Sequence, residues 1–466
     1  MTKPRDESYS PTRRTALVLT GVGTAGAYHA GVLRALHEAG VKLDVVAGRG
    51  VGVIGALFAA VDGAQPLWDE RGFWRGPGVE SLYGWRPLAR VSGVAAALAV
   101  LLVLAPLATM AAGLVVFPID FLLKMVGLSG GGLVAKYVDL VGTLFAPSGL
   151  PTWLPRLVLL VLGTAAIALA LDAWTTRGER RHAGRFWWRM LGPPLSSEAI
   201  VDRCWTSLWD LVRGAARVKR PPPLELGRRS VELLLDNLGQ PGFRELVIVA
   251  HDVDARADLV FALVGEAHRR ELVRRPTTAE SEARRSGVVD LSGVGRDHLA
   301  DAVAGALTVP LATAYHSMTF APESYWRGET HRLCDRPACL LRLLTELGHL
   351  GVEQIVLVSA APLAPGPHQI ERPRIEGRGR IGEYLQSAEA AVVGDAAGRD
   401  GEGRPRMFTI RPAHNPIGPF DFGGGFDDRS DRRQPLRELM SRGYEDAYRQ
   451  FIEPVVGASG DRVGAR

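Results

Sequence analysis

Residues Leu17 to Leu57 read LVLTGVGTAGAYHAGVLRALHEAGVKLDVVAGRGVGVIGAL, and two glycine turns within them organise the rest of the chain. Ala16 to Leu19 is an apolar run of strand length that stops at Gly21. Tyr28 to Ala39 follows with helical spacing at Val32, Leu33 and Leu36. Asp44 to Ala47 predicts a second strand, Gly48-Arg49-Gly50-Val51-Gly52 a sharp turn, and Ile54 to Val61 a second helix. Strand candidates recur at Leu246–Ala250, Gly287–Asp290 and Gln354–Ser359, with helices at Asp297–Ala306 and Ala338–Leu350. Such alternation predicts an α/β fold with a mostly parallel sheet covered by helices on both faces.

The first turn, Gly21-Val22-Gly23-Thr24-Ala25-Gly26, satisfies G-x-G-x-x-G. Two chemistries use such a turn. One is dinucleotide binding, in which glycines admit a pyrophosphate to a helix N-terminus. The other is oxyanion stabilisation by free backbone N–H groups. A dinucleotide site also needs an acidic residue at the end of the second strand, whereas Asp44 stands at its beginning. The second turn has the strand–turn–helix layout of a nucleophile elbow, G-x-S-x-G, with Gly50 where the serine belongs.

On those residues the chain resembles the patatin-like phospholipases, whose opening shows a strand, a glycine-rich oxyanion loop, a helix and D-x-x-x-G-x-S-x-G. A second stretch, ALTVPLATAYHSMTFAPESYWRGETHRLCDRP, resembles the family segment that carries the dyad aspartate in D-G-G-x-x-D-N-x-P. Aligned on Asp335, the D-G-G slot falls on Thr330-His331-Arg332. The resemblance implies a Ser–Asp acyl hydrolase site, no cofactor and no metal. It also implies that neither dyad position is intact here, since Gly50 cannot attack and Thr330 is no base. The expectation is a degenerate member that keeps the fold and binds a lipid or acyl ligand, or a protein partner. An active hydrolase with a different nucleophile and a dinucleotide-binding protein remain the alternatives.

Residues Val91 to Ile119 contain no charge, and a bilayer span needs about 20 apolar residues. Leu157 to Leu171, extended over 152–174, predicts a second span, with Trp153 and Trp174 as interfacial aromatics. Arg71, Arg75, Arg86 and Arg90 precede the first span, and Arg177, Arg180, Arg181, Arg185 and Arg189 follow the second. The positive-inside rule then predicts an integral membrane hairpin of bacterial inner-membrane type, with the soluble domain cytoplasmic and in contact with membrane lipids. The net charge of +5 is spread along the chain, and its basic concentration at Arg177–Arg189 directly follows an apolar segment, which reads as a membrane flank and not a nucleic-acid stripe. Three cysteines form neither an even disulfide set nor a C-x-x-C pair.

The expected organisation is a polar tail (1–14), the first part of the α/β domain (15–79), the insert (80–190) and the second part (191–362). A C-terminal extension (363–466) completes it, with Gly/Pro/Arg-rich loops expected over Ala364–Arg380 and Gly394–Arg406 and a closing amphipathic helix over Leu436–Ile452. Three further clusters carry weaker alternatives. His251-Asp252-Val253-Asp254 reads as a sheet-edge loop before a metal site. His316-Ser317 are neighbours that do not face each other. Asp421, Asp427, Asp428 and Asp431 surround Gly423-Gly424-Gly425 in what reads as a solvated loop.

Overall fold

The computed structural model describes residues 9–128, 131–144, 146, 150–175, 192–272, 278–362, 377–398, 404–427 and 429–457. Arg177, Arg180, Arg181, Arg185, Arg189 and Asp428, most of the expected loop over 364–380 and the start of the polar tail lie outside the described residues.

The chain divides into two units, Met1–Gly84 with Leu195–Arg466, and Trp85–Pro194. The first unit is built on a sheet whose main path has the order β5-β4-β3-β2-β1-β8-β9. Its strands are β1 (Thr15–Thr20), β2 (Val45–Arg49), β3 (Glu245–Asp252), β4 (Ala257–Leu263), β5 (Val288–Asp290), β6 (His316–Thr319), β7 (Thr330–Cys334), β8 (Gln354–Ser359) and β9 (Arg406–Ile410). β3, β2, β1, β8 and β9 run parallel, with Leu17 opposite Val46 on one side and Val356 on the other. β4 is antiparallel to β3, and the β6–β7 hairpin joins the far end of β3.

Both faces of this sheet are buried, so its central strands are apolar throughout instead of alternating. On one face Leu17, Leu19, Val46 and Ile248 pack with α1 (Ala25–Glu38) and α2 (Gly52–Ala60). On the other, Ala16, Val18, Val45 and Val247 meet a helix over Cys339–His349 and Val393 and Ala396 of another over Gly377–Ala397. The stretch beyond 363 is part of this unit. β9 extends the sheet beside β8, and the helix Leu436–Ala447 packs on α1, continuing as a π-helical turn to Val456. Residues 377–380 and 394–397, expected in loops, are helical.

The second unit holds α3 (Pro87–Met125), α4 (Leu133–Leu144) and α5 (Leu150–Thr175), with Tyr137 of α4 donating to the Thr109 carbonyl of α3 at 2.8 Å. α3 continues as helix on both sides of Pro106, and its stretch long and apolar enough for a span is Leu107–Met125, with mean hydropathy 1.7, in place of the expected 91–119. This is the one helix among the described residues long and apolar enough to cross a membrane. The second expected span is helical, but its apolar stretch, Arg156–Leu171, is shorter than a crossing. Two hydrogen bonds mark the base of the insert: Ser196 N–H donates to Gly84 O, and Arg86 N–H to Pro194 O, both at 3.0 Å.

Candidate functional site

Three chain segments converge at one end of the sheet: the turn after β1, the turn after β2 and the residue after β7. β2 ends at Arg49, α2 begins at Gly52, and Gly50 between them has φ +54°. An L side chain rarely adopts that backbone region, and elbows place their nucleophile there under strain. A Cβ added to Gly50 would stand 2.2 Å from Gly21 O and 2.9 Å from Asp335 Oδ2. The backbone carbonyl of Gly21 therefore fills the volume a nucleophile would need. The same oxygen accepts from Val51 N–H at 2.9 Å. In an elbow that N–H helps to hold the oxyanion, and here it is already engaged.

The carboxylate beside the elbow is Asp335, not a residue aligned on Thr330. Thr330 opens β7, is exposed, and shares a 2.9 Å hydroxyl hydrogen bond with Thr319 across the hairpin. Five residue steps, at about 3.4 Å each, separate it from Asp335. The structure thus brings Gly50 and Asp335 together and leaves Thr330 at the other end of its strand. Sequence reading used Asp335 as an anchor for alignment and gave it no role. The usable signal was an acidic residue immediately after a strand and before Pro337.

Arg49 was expected merely as the variable residue of the turn, yet it is fully buried. Its Nη2 donates to Asp335 Oδ2 at 3.1 Å, and its Nη1 pairs with Glu389 Oε2 at 2.8 Å. Glu389, from the helix Gly377–Ala397, also accepts from Thr20 Oγ1 at 2.7 Å through its other oxygen. His29 of α1 approaches the Thr20 carbonyl with Nε2 at 3.1 Å. Burial holds the His29 imidazole down to about 4, with the Thr20 carbonyl opposing and Arg49 reinforcing the shift. Burial pushes the Asp335 carboxyl up to about 7, Arg49 opposing and Glu389 adding. Asp335 Oδ1 and Arg49 Nε are buried without hydrogen-bond partners, and Arg49 Nη1 and Glu389 Oε2 meet as an ion pair outside hydrogen-bond geometry.

The glycine turn after β1 is covered. Gly23 has φ +58°, and a Cβ there would lie 1.8 Å from Pro419 O. Thr24 donates its N–H to Pro419 O and its hydroxyl to Gly418 O, both at 2.9 Å. Phe420 and Phe422 of the same segment pack on Tyr83. The cavity left beside Gly21, Val22, Thr24 and Ala25 measures about 30 Å³. That admits about one water, far below the roughly 300 Å³ of a ligand pocket. A pyrophosphate has no room at Gly21–Gly26, and the α1 N-terminus already gives Thr24 N–H to a carbonyl.

A larger cleft, about 980 Å³, opens at the other edge of the sheet beside β5, with Phe320, Tyr325 and Trp326 on one wall and Val289 and Arg285 on another. The other singled-out residues serve structure. His251 Nδ1 meets Asp258 at 2.8 Å, and Asp252 meets His331 Nδ1 at 2.5 Å. His316 Nε2 meets Asp301 at 2.8 Å, while Ser317 next to it is exposed. Asp427 is bonded by His414, Ser430 and Gln434, and Asp421 accepts from Gly418 N–H.

No family model matches the chain. Short local matches link it to patatin-like phospholipase domains. Lysophospholipase nte1 of Aspergillus fumigatus is 42% identical over 57 residues, which are 12% of this chain and 4% of that protein. Patatin-like phospholipase domain-containing protein 6 of Homo sapiens is 58% identical over 45 residues, 9% of this chain and 3% of that protein. The matches thus span a few per cent of these relatives' length, and they support the patatin-like resemblance. The structure of VipD from Legionella pneumophila aligns with 97% of this chain and 69% of its own at 11% identity. Its TM-score of 0.32 carries no argument about the fold.

Proposed function

We propose that this chain is a patatin-like protein without ester hydrolysis, held at the cytosolic face of a membrane by its Trp85–Pro194 unit. The observation that carries the reading is the Gly21 carbonyl, which occupies the nucleophile's volume at Gly50 and engages the Val51 N–H. Acyl transfer needs a nucleophile, a base and free oxyanion donors. At this turn the first has no side chain, the second is paired with Arg49, and the Val51 donor is spent.

A membrane location is supported by the Leu107–Met125 helix and by the exposed apolar surface of α3 at Leu107, Leu114, Val115 and Phe121. A two-span hairpin with both ends cytosolic belongs to the same reading, with α5 reaching span length only over its whole extent of 26 residues, Leu150–Thr175. A lipid or acyl ligand, or a peptide of a partner protein, has no space beside the glycine turn. The cleft next to β5 has the volume to receive one.

The test uses the purified full-length protein in detergent with a fluorophosphonate probe and with phospholipid and lysophospholipid substrates. No covalent labelling and no turnover above a heat-treated control are expected. Labelling at any serine would replace this reading with an active hydrolase using another nucleophile.

A further inference from the structure

Three ionisable groups meet beneath the Gly50 turn out of reach of water. Arg49, Asp335 and Glu389 are 0%, 1% and 4% exposed. One guanidinium faces two carboxylates, at 3.1 Å to Asp335 and 2.8 Å to Glu389. With all three ionised, two carboxylates would share the Arg49 guanidinium in an interior almost removed from solvent. Such crowding is relieved by taking up a proton.

The neighbouring groups supply no second cation that acts on Asp335, although Arg411 acts on Glu389. His29 on α1 is held neutral by burial. Arg411, after β9, acts on Glu389 but donates to the carbonyls of Ala361 and Pro362. Arg336 is committed to Asp258 of β4, an added negative charge that also accepts from Cys339 Sγ. Tyr83, Cys334 and Cys339 stand around Asp335 with burial raising each of them, so they stay protonated.

We propose that Asp335 holds one proton where it and Glu389 face Arg49, and that this proton latches the helix Gly377–Ala397 over the glycine turn. With Asp335 protonated, Arg49 and Glu389 form a one-to-one pair, and Glu389 stays on Thr20 Oγ1. When Asp335 releases its proton to water, the carboxylates repel across Arg49. Asp335 is fixed at the end of β7 by its N–H to Thr308 O at 2.7 Å. Glu389 rides on the helix and lines the small cavity at the turn, so the latch assigns the displacement to it. The proton held by Asp335 up to about 7 sets the release near neutrality. The inference does not depend on the catalytic reading above.

Amide hydrogen exchange of the full chain across pH 5 to 8, corrected for intrinsic rates, tests it. Protection of residues 377–397 should fall by up to roughly tenfold per pH unit between 5 and 7 and level off above, with α1 unchanged. Asp335→Asn should make the helix strongly protected and pH-independent, because Arg49 then faces Glu389 alone. Glu389→Gln should make it weakly protected and equally pH-independent. A flat wild-type profile, or the wild-type slope persisting in either variant, would overturn the latch. If Asp335→Asn fails to fold, the Glu389→Gln profile decides alone.

Discussion

Asp335 Oδ2 lies 2.9 Å from the point where a Cβ of Gly50 would stand. The two residues are far apart in sequence, one after β2 and one after β7; β2 runs parallel to β3, and β7 pairs antiparallel with the last residues of β3, which brings both to the same end. An acid is thus held beside a turn that has no nucleophile, and its partner is Arg49.

Returning a serine to that turn should not return activity. In Gly50→Ser the new Cβ meets Gly21 O at 2.2 Å, a backbone atom that yields only if the whole turn shifts. We expect a loss of roughly 1–3 kcal/mol of stability by urea unfolding, and no hydrolysis of short-chain nitrophenyl esters. Adding Thr330→Asp changes nothing at the site, since Thr330 lies at the far end of β7. Clear turnover by Gly50→Ser alone would show that the Gly21 carbonyl is not held in place.

Arg49→Met should be among the most damaging single changes in the α/β unit. It leaves Asp335 and Glu389 buried together without a counter-charge, which costs about 3–5 kcal/mol. The triple change Arg49→Met, Asp335→Asn, Glu389→Gln should recover much of this, because it buries no charge. Equal stability of the single and triple variants in urea would refute the charge argument.

Two groups in this site pull stability in opposite directions with pH. Asp335 is raised to about 7, so its contribution is complete below the ordinary carboxylate range and is lost as pH rises through 7. His29 is lowered to about 4, so its contribution is present above the ordinary histidine range and is lost as pH falls towards 4. Between these limits the two slopes offset each other. Asp335→Asn should therefore steepen acid destabilisation below pH 6, and His29→Gln should leave stability falling from pH 5 to 7. Urea midpoints at half-unit pH steps would read both, and identical profiles in the two variants would contradict the assignment.

Removing residues 85–194 and joining Gly84 to Leu195 by a short glycine-serine linker should give a soluble, folded α/β protein. Ser196 N–H already donates to Gly84 O at 3.0 Å, so the cut ends are neighbours. Loss of the exposed apolar helices should move the protein from the membrane fraction to the supernatant with its circular dichroism retained. A truncated chain that still pellets with membranes would count against anchoring by this unit.

The opening of the fold was legible because it is local. β1, its glycine turn, α1, β2 and α2 follow one another within Thr15–Ala60, and each carries its own periodicity. β4 and the β6–β7 hairpin were not read, since antiparallel pairing onto β3 is decided by distant partners. β9 was hidden because its burial comes from joining β8. At the site, Gly50 was legible as a missing side chain. Its surroundings were not, because Arg49, Asp335 and Glu389 are scattered along the chain and join only when the sheet closes. One signal lay unread: an arginine inside VVAGRG, at the end of an apolar strand, needs a buried acid from elsewhere.

The Gly21 carbonyl also bears on how this turn could change. A side chain at position 50 meets a backbone oxygen at 2.2 Å, so it fits only together with a shift of the turn that carries Gly21. A nucleophile at this spot would take two coupled changes, one in each loop, and neither suffices alone.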